Sequence, residues 1–391
     1  MAKVRLGDIA TVVTKGTTPT TMGFQFEDGG INFVKIESIS EDGTLLKEKF
    51  SHISDECNVQ MRRSQLQEND ILFSIAGAIG RSAIVTKEIL PANTNQALAI
   101  IRVPKGKIDY NYLLYALSSS AINQQATQHQ QGVAQLNISL KNVSDFLLPI
   151  YTEAMQKRIV HNLKKIDKLI SLRKQQLAKL DELVKARFVE MFGDEQAFNK
   201  EPLSQNVEEM FIGPFGSSLK NENFVSKENG YCMVYEQKHA IRKTMDVETR
   251  YIDKPKYEEL KRFSIHGGDI IVSCRGTIGE TYIVPLNAPL GIMHPSIMKI
   301  RVKDSIYNRV FFDFLLQEKL KQHEAQANGS GVKMAVTASA LGKEEFIVPS
   351  IPFQNQFAAF VERVDQQKQT VQQSLEKLEL MKKALMQEYF G

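Results

Sequence analysis

The sequence predicts an α+β protein in which two similar mixed α/β domains alternate with two long helices that pack on each other as a coiled coil. Three observations predict this architecture. Motifs recur at about half the chain length, two stretches carry a heptad of apolar residues, and short apolar runs fill the segments between them. The order domain, helix, domain, helix is therefore an internal repeat with pseudo-two-fold character.

The recurring motifs indicate a duplicated domain. Three pairs of segments correspond at a spacing of 198 or 199 residues: Gly77–Arg81 with Gly276–Glu280, Asp70–Ser74 with Asp269–Ser273, and Glu190–Gly193 with Glu388–Gly391. Solenoid repeats are only about 20–50 residues long, so this spacing fits a whole domain plus a connecting element. Two diverged copies in one chain are suited to reading two similar but different ligands.

Residues 1–150 form the first predicted domain. The apolar runs Ile31–Val34 and Ala97–Ile101 indicate strands, and Tyr110–Gln125 indicates a helix. Gly77 and Gly80 lie between two apolar runs. They indicate a tight turn between strands, because a dinucleotide-binding loop needs a helix after its glycines.

Residues 151–193 form the first predicted long helix. Gly and Pro are absent from Thr152 to Phe192, and Gly193 stands where a helix C-cap is expected. Apolar residues recur in alternating steps of four and three, which is typical of a coiled-coil seam. The seam positions are Ile159, Leu163, Ile166, Ile170, Arg173, Leu177, Leu180, Val184, Arg187 and Met191.

Residues 194–350 and 351–391 repeat this arrangement as a second domain and a second long helix. Ile297–Ile300 indicates a strand, and Tyr307–Ala327 indicates a helix. The second seam holds Phe357, Val361, Val364, Lys368, Val371, Leu375, Leu378, Lys382, Leu385 and Tyr389. Packing of the two helices on each other is favoured over each covering its own domain, because both far exceed the usual ~10–14 residues.

The composition is ordinary for a soluble protein of 391 residues, with 42% hydrophobic and 24% charged residues. The sequence shows no signal peptide and no apolar stretch long enough to span a membrane, and its three cysteines are scattered. A cytoplasmic location with no membrane association is therefore expected. Residues 151–193 carry 10 basic and 5 acidic side chains, so this helix accounts for the net charge of +4.

Motifs that carry catalysis or hold a metal are missing from the sequence. It has no phosphate-binding GxxxxGK[ST] loop and no Cys-x-x-Cys, and His323-Glu324 lacks the second histidine of a zinc protease motif. We therefore expect no catalytic residue, no bound metal and no cofactor in this chain.

Polar side chains in or near glycine-containing turns are the remaining candidates for a functional site. Asn, Gln and Arg can bond to base edges, whereas Lys, Ser and Thr suit phosphates, so these residues are candidate DNA contacts. In the first domain they are Lys15, Thr17, Lys35, Arg81, Asn95, Gln96, Gln135 and Asn137. In the second domain they are Ser217, Ser218, Lys220, Gln237, Lys238, Arg242, Arg275, His294 and Lys333.

Several segments resemble the specificity subunits of type I restriction–modification systems. In the first half they are Gly16–Pro19, Thr94–Gln96, Gly132–Asn137, Leu147–Pro149 and Gln156–Val160. In the second half they are Gly213–Ser217, Gly331–Lys333, Ile347–Pro349 and Pro352–Gln356. The second half departs from the pattern, because it has His294-Pro295 where the first half has Asn95-Gln96. Contacts inferred for Asn95 and Gln96 are therefore not expected in the second half.

The resemblance implies that 1–150 and 194–350 are target-recognition domains for the two halves of a split, asymmetric target in double-stranded DNA. It implies that the two long helices pack antiparallel and set the gap between the half-sites. It also implies two modification subunits, which are methyltransferases that use S-adenosylmethionine. Restriction subunits that act as translocase and endonuclease with ATP and Mg would complete the complex.

Two other functions are open from the residues alone. One is a coiled-coil adaptor whose two domains bind protein or carbohydrate, and the other is a two-lobed enzyme with its site between the repeats. The enzyme would need an acid–base or metal cluster, which the sequence does not display. The adaptor would bind DNA with an affinity independent of base sequence.

Overall fold

The computed structural model describes residues 3–128, 137–275, 277–330 and 337–391, and for 324–330 it describes the backbone only. The chain forms two compact units. Unit 1 consists of residues 1–176 and 371–391, and unit 2 of residues 177–370. Each unit thus contains one globular domain and a part of both long helices, while the predicted domain limits at 150, 193 and 350 stay predictions.

Unit 1 begins with a strand and ends its globular part with another. Its strands are β1 (Lys3–Arg5), β2 (Val12–Lys15), β3 (Ile31–Val34), β4 (Ser51–Ile53), β5 (Ile71–Ser74), β6 (Ser82–Ile84), β7 (Ala92–Thr94), β8 (Leu98–Arg102) and β9 (Leu147–Pro149). Its helices are α1 (Leu6–Ile9), α2 (Asp55–Gln60), α3 (Tyr110–Leu117), α4 (Ser120–Gln128), α5 (Leu140–Ser144) and the first part of α6 (Glu153–Phe192).

Unit 2 follows the same plan. Its strands are β10 (Lys200–Pro202), β11 (Val207–Ile212), β12 (Cys232–Tyr235), β13 (Tyr251–Ile252), β14 (Ser264–Ile265), β15 (Ile270–Ser273), β16 (Thr281–Ile283), β17 (Gly291–Met293), β18 (Ile297–Val302) and β19 (Glu345–Ile347). Its helices are α7 (Leu203–Asn206), α8 (Gln237–Arg242), α9 (Lys254–Leu260), α10 (Arg309–Ser330), α11 (Ala338–Lys343), the end of α6, and the first part of α12 (Ile351–Phe390).

The central sheet of unit 1 is antiparallel, with strand order β2-β8-β5-β6. Side chains alternate between its two faces, as the pleat of a strand requires. Along β5, Ile71 and Phe73 face a core formed with α3, α4 and α6, while Leu72 faces a core shared with the sheet β4-β3-β7. One sheet therefore separates a helical layer from a second sheet.

Unit 2 repeats this topology with different residues and with one additional strand, β14, in its second sheet. Its central sheet has the order β11-β18-β15-β16, and its second sheet has the order β13-β12-β17-β14. In each unit the second sheet contains one parallel pair, β3 with β7 and β12 with β17. The antiparallel pairs β1–β9 and β10–β19 join the beginning and the end of each globular domain. The fold confirms the duplication predicted from the recurring motifs.

The glycine turns lie where the sequence predicts them. Gly77 and Gly80 have φ of 66° and 93° in the turn between the antiparallel strands β5 and β6. Gly279, with φ of 90°, occupies the matching turn between β15 and β16, and Gly276 lies outside the described residues. Positive φ favours glycine, which explains its presence at these positions.

The long helices pair antiparallel within each unit. In unit 1, Asp167 of α6 lies 2.6 Å from Lys382 of α12, and in unit 2 Asp181 lies 2.6 Å from Lys368. Each pair of residue numbers adds up to 549, so one antiparallel register holds in both units. Every position of the two predicted seams is buried or half-buried, which confirms the heptad prediction.

Each long helix is attached to a globular domain by a buried glutamine near its start. Gln156 Oε1 accepts a hydrogen bond from Asp109 N–H at 2.9 Å, and its amide nitrogen donates to Tyr151 O at 2.9 Å. Gln354 Oε1 accepts from Asn308 N–H at 2.8 Å, and its amide nitrogen donates to Pro349 O at 2.7 Å. The two copies therefore use the same attachment.

One helix prediction was wrong in detail. The helix predicted over Tyr110–Gln125 is divided into α3 and α4, because the serines between them bond locally. Ser118 Oγ donates to Leu114 O at 2.9 Å, and Ser119 Oγ accepts a hydrogen bond from Ile122 N–H at 3.4 Å at the start of α4. Serine competes in this way with helical hydrogen bonds.

Candidate nucleic-acid interface

In unit 1 most candidate residues lie at one end of the two sheets, where several strands meet. Gly16 lies so close to the β7–β8 connection that an added Cβ would be 1.9 Å from Thr94 O. Thr17 N–H bonds to Thr94 O at 3.2 Å, and the Thr18 hydroxyl bonds to Gln96. The loop after β2 and the loop before β8 are therefore held together.

Two further segments reach the same end of the sheets. Thr94 Oγ1 donates to Val34 O at 2.8 Å, which places Lys35 next to this loop. Ile75 N–H bonds to Ala97 O at 2.9 Å, and Asn137 forms an isolated β-bridge with Ala76. We call the segments 15–18, 35–36, 75–77, 95–97 and residue 137 the first loop cluster.

The side chains of the first loop cluster differ in their exposure to solvent. Lys15, Thr17, Gln96 and Asn137 are exposed. Lys35 is half-buried, with its ammonium 4.0 Å from the ring centroid of Phe26. Exposed amide and hydroxyl groups at one edge suit hydrogen bonds to base edges and phosphates.

Arg81 and Asn95 are engaged within the protein. Arg81 Nη1 donates to Ile39 O at 3.3 Å, and the guanidinium lies 4.0 Å from Glu41. Asn95 Oδ1 accepts a hydrogen bond from Ala97 N–H at 3.1 Å, closing the turn that presents Gln96. Asn95 thus shapes the loop, and an amide side chain is suited to such local backbone bonds.

In unit 2 the corresponding end of the sheets gathers a different set. Gly213 approaches the β17–β18 connection, where an added Cβ would lie 2.3 Å from His294 O. His294 N–H bonds to Tyr235 O at 2.8 Å, and Cys274 N–H bonds to Ser296 O at 2.9 Å. We call the segments 213–218, 236–238, 274–275 and 294–296 the second loop cluster.

His294 takes over the backbone role of Asn95. Its Nδ1 accepts a hydrogen bond from Ser296 N–H at 3.2 Å and lies 2.7 Å from Ser296 Oγ. Burial lowers the pKa of His294 below its ordinary value, which favours the neutral ring that this acceptor role needs. The bond that closes the turn is thus common to the two loops, whereas the expectation that DNA contacts of Asn95 and Gln96 do not carry over stays a prediction.

A charged network surrounds the start of α8. The buried carboxylate of Glu236 lies 2.8 Å from Lys238 Nζ and bonds to the Arg250 guanidinium. Burial by itself would raise the pKa of Glu236, but Lys238 and Arg250 lower it. Gln237 is half-buried, and its Oε1 has no hydrogen-bond partner among the described residues. Lys238 is thus already paired within the protein.

The other candidates of unit 2 divide into two groups. Arg275 and Ser217 are exposed within the second loop cluster, and Ser218 is half-buried beside them. Lys220 and Arg242 are exposed outside it, at the end of the loop and on the last turn of α8. Gln135 and Lys333 lie outside the described residues. Contact with DNA stays a prediction for all candidate residues.

The sequence analysis missed Phe215, which lies in the second loop cluster between Pro214 and Gly216. It is 86% exposed, the highest value among the large apolar side chains that the structure describes. The candidate residues were selected as polar side chains that can form hydrogen bonds, and phenylalanine has no such group. The exposure of Phe215 depends on how the folded loop is anchored, which the sequence does not show. The only available sequence signal was its position within Gly213–Ser217.

The described residues contain no group of three or more His, Cys, Asp or Glu placed to hold a metal ion. Among them there is also no helix that is both long and apolar enough to cross a membrane.

The chain matches the family model described as type I restriction modification DNA specificity domain, over residues 1–182 and 217–380. It is 32% identical over 139 residues to the type I restriction enzyme EcoBI specificity subunit of Escherichia coli, a match that covers 35% of this chain but only 28% of that protein. A protein of Methanocaldococcus jannaschii, named for the type I restriction enzyme MjaX specificity subunit, is 23% identical over 97% of this chain and 90% of its own length.

Two solved structures have the same fold over the whole chain. One comes from a study of complex assembly and conformational transition of the type I R-M system, with a TM-score of 0.66, 16% identity and 97% of that chain covered. The other is the S subunit of a type I restriction-modification system from M. genitalium, with a TM-score of 0.56, 14% identity and 96% covered. At these identities the likeness concerns the fold.

Proposed function

Because this chain belongs to the family of type I restriction modification DNA specificity domains, we propose that it reads a split, asymmetric DNA target with one domain for each half-site. The observation that carries this function is the pair of loop clusters. The two clusters lie at corresponding ends of the sheets in the two units, but they are built from different side chains. One fold with two surfaces is what recognition of two unlike half-sites requires.

The chemistry of the loop clusters suits DNA. Exposed Gln96, Asn137 and Arg275 can bond to base edges, whereas Lys15, Thr17 and Ser217 suit phosphates. The domains themselves are close to neutral, with 14 basic and 14 acidic residues in 1–150. Specificity would therefore rest on a few base contacts, and partner subunits would add phosphate contacts.

The partners are two modification subunits and, in the full complex, restriction subunits. S-adenosylmethionine, ATP and Mg belong to those subunits, and this chain acts in the cytoplasm as a non-catalytic specificity subunit. Exposed apolar side chains on the long helices support docking of protein partners: Leu172, Leu380 and Met381 in unit 1, and Leu183 and Val189 in unit 2. Each unit would thus receive one modification subunit.

The test is an exchange of domains read out on host DNA. A base-resolution map of methylated adenines identifies the target as the motif that disappears without this gene. Replacing residues 1–150 with those of another family member should change one half of that motif, and replacing 194–350 should change the other. A change in both halves, or in neither, would contradict the proposal. Affinity for DNA that ignores base sequence would instead favour the adaptor.

A further inference from the structure

Phe215 is an apolar side chain fixed in an exposed position. The loop is anchored before it by Gly213, whose N–H bonds to Ile297 O at 2.9 Å, and by the buried Pro214. It is anchored after it by the bond from Ser218 N–H to Phe215 O at 2.8 Å and by the buried side chain of Leu219. A ring held out of the core in this way forgoes the stabilisation that burial would bring.

The surroundings of Phe215 are those of the candidate DNA surface. Ser217 follows on the same turn, and Gly213 packs against the backbone of His294. Such an arrangement combines groups suited to phosphates with one aromatic ring. Proteins use rings of this kind to contact the thymine methyl group or to press between bases.

The described residues of the first loop cluster include no such ring. Gly16 and Gly213 occupy matching positions, so Phe215 corresponds to Thr18. Thr18 is half-buried, and its hydroxyl bonds to Gln96. Among the described residues, the second loop cluster thus carries an exposed ring at a position where the first carries a threonine.

We propose that Phe215 is a specificity-determining residue that makes an apolar contact with a base in the half-site read by the second domain. This inference rests on the proposed function, because it takes the second loop cluster as the DNA surface. The contact is to the thymine methyl group or to the face of an unstacked base.

The test measures binding of Phe215→Ala, Phe215→Tyr and wild-type full chain, each assembled with its modification subunits, to duplexes carrying the mapped target. We expect Phe215→Ala to bind the target about five- to a hundredfold more weakly and an unrelated duplex as wild type does, which is the effect of losing the stacking of one base on an aromatic ring. Phe215→Tyr keeps the ring and should stay within about twofold of wild type. Leu286→Ala is the matched control, because Leu286 is 78% exposed in the same unit and lies outside the second loop cluster.

Two probes distinguish the forms of the contact. Uracil in place of one thymine of the second half-site should weaken wild type but not Phe215→Ala if the ring contacts a methyl group. Fluorescence of 2-aminopurine in that half-site should rise on binding of wild type, and less for the variant, if the ring unstacks a base.

Equal binding of target by Phe215→Ala and wild type would overturn the proposal, and so would an equal loss on target and unrelated duplexes. If either result accompanied a successful exchange of residues 194–350, the proposed function would stand and only the role of Phe215 would be wrong. Failure of the exchange itself would contradict the proposed function.

Discussion

At the scale of single residues, Asn95 and His294 close equivalent turns with the same bond. Each accepts a hydrogen bond from the backbone N–H two residues further on. The turn geometry is therefore retained while the acceptor that closes the turn changes from an amide oxygen to an imidazole nitrogen. The two domains keep one backbone and vary the side chains that it presents.

This equivalence predicts the effect of substitutions at His294. His294→Asn supplies an acceptor in the place of Nδ1 and should keep discrimination in the second half-site within about threefold of wild type. His294→Ala leaves Ser296 N–H without its partner, which costs about 1–3 kcal/mol when such a group is buried, so discrimination should fall by about tenfold. Binding to duplexes altered in one half-site at a time measures both effects. Equal defects in the two variants would contradict the acceptor role.

His239 predicts a pH dependence of stability in unit 2. It is fully buried, its Nδ1 accepts from Glu236 N–H at 3.0 Å, and burial lowers its pKa below the ordinary 6.5. Below about pH 6.5 the unfolded chain binds a proton that the folded state does not, so this contribution to stability is lost as pH falls. The buried Asp313, whose pKa is raised by burial, acts in the opposite direction, because its folded state binds a proton that the unfolded chain has released.

His239→Asn isolates the histidine contribution. The free energy of unfolding of unit 2, followed by hydrogen exchange from pH 7 to pH 5, should fall less steeply in the variant than in wild type. The quantity to compare is the slope of the unfolding free energy against pH, because the smaller side chain of asparagine also lowers the stability at pH 7. Parallel slopes would show that His239 is not the responsible group.

At the scale of elements, the long helices were predicted in detail because a heptad is a local pattern. The lysines within the seam, Lys368 and Lys382, were noted only as interruptions. The structure shows that each pairs with an aspartate of the other helix, Asp181 and Asp167. Such pairs contribute little to stability at partly exposed positions but favour one register.

The shared register allows a direct test of the spacer role. Four residues inserted after Leu172 in α6 alone should shift the preferred gap between half-sites or abolish assembly, without changing the bases read. Seven residues inserted after Leu172 and seven after Glu376 preserve both heptads and add about 10 Å of helix, equivalent to about three base pairs. The methylated-adenine map should then show the same half-sites with a longer gap. Restored function with an unaltered gap would contradict the spacer role.

At the scale of the whole molecule, the duplication was predictable because Gly77–Arg81 and Asp70–Ser74 recur in order. The loop clusters were predictable only in part. Asparagine, lysine and arginine were selected by type, but whether a side chain is free depends on distant partners, such as Ile39 for Arg81 and Glu236 for Lys238. Phe215 was missed for the same reason, because its exposure follows from anchors on both sides of the loop.

The end of α12 completes the core of the first domain. Phe390 is buried with its ring centroid 5.3 Å from that of Tyr112, and Tyr389 O accepts from the Tyr151 hydroxyl at 3.0 Å. Phe390→Ala should lower the stability of unit 1 by about 3–5 kcal/mol.

Hydrogen exchange by mass spectrometry measures this effect unit by unit. Protection of α3 and β5 should fall in Phe390→Ala, while β15 and β18 in unit 2 should keep theirs. Met381→Ala, on an exposed side chain of the same helix, is the control. Loss of protection in both units, or in neither, would contradict the assignment of Phe390 to the core of unit 1.

The contact between Phe390 and Tyr112 has a consequence for synthesis on the ribosome. Domains usually fold in the order in which they emerge, beginning at the N-terminus. Here the first domain emerges early but lacks the side chains of Tyr389 and Phe390 until the second domain and α12 have been synthesised. The nascent chain would therefore expose apolar surface around Tyr112 until α12 has been made, and we expect chaperones to bind there during that time.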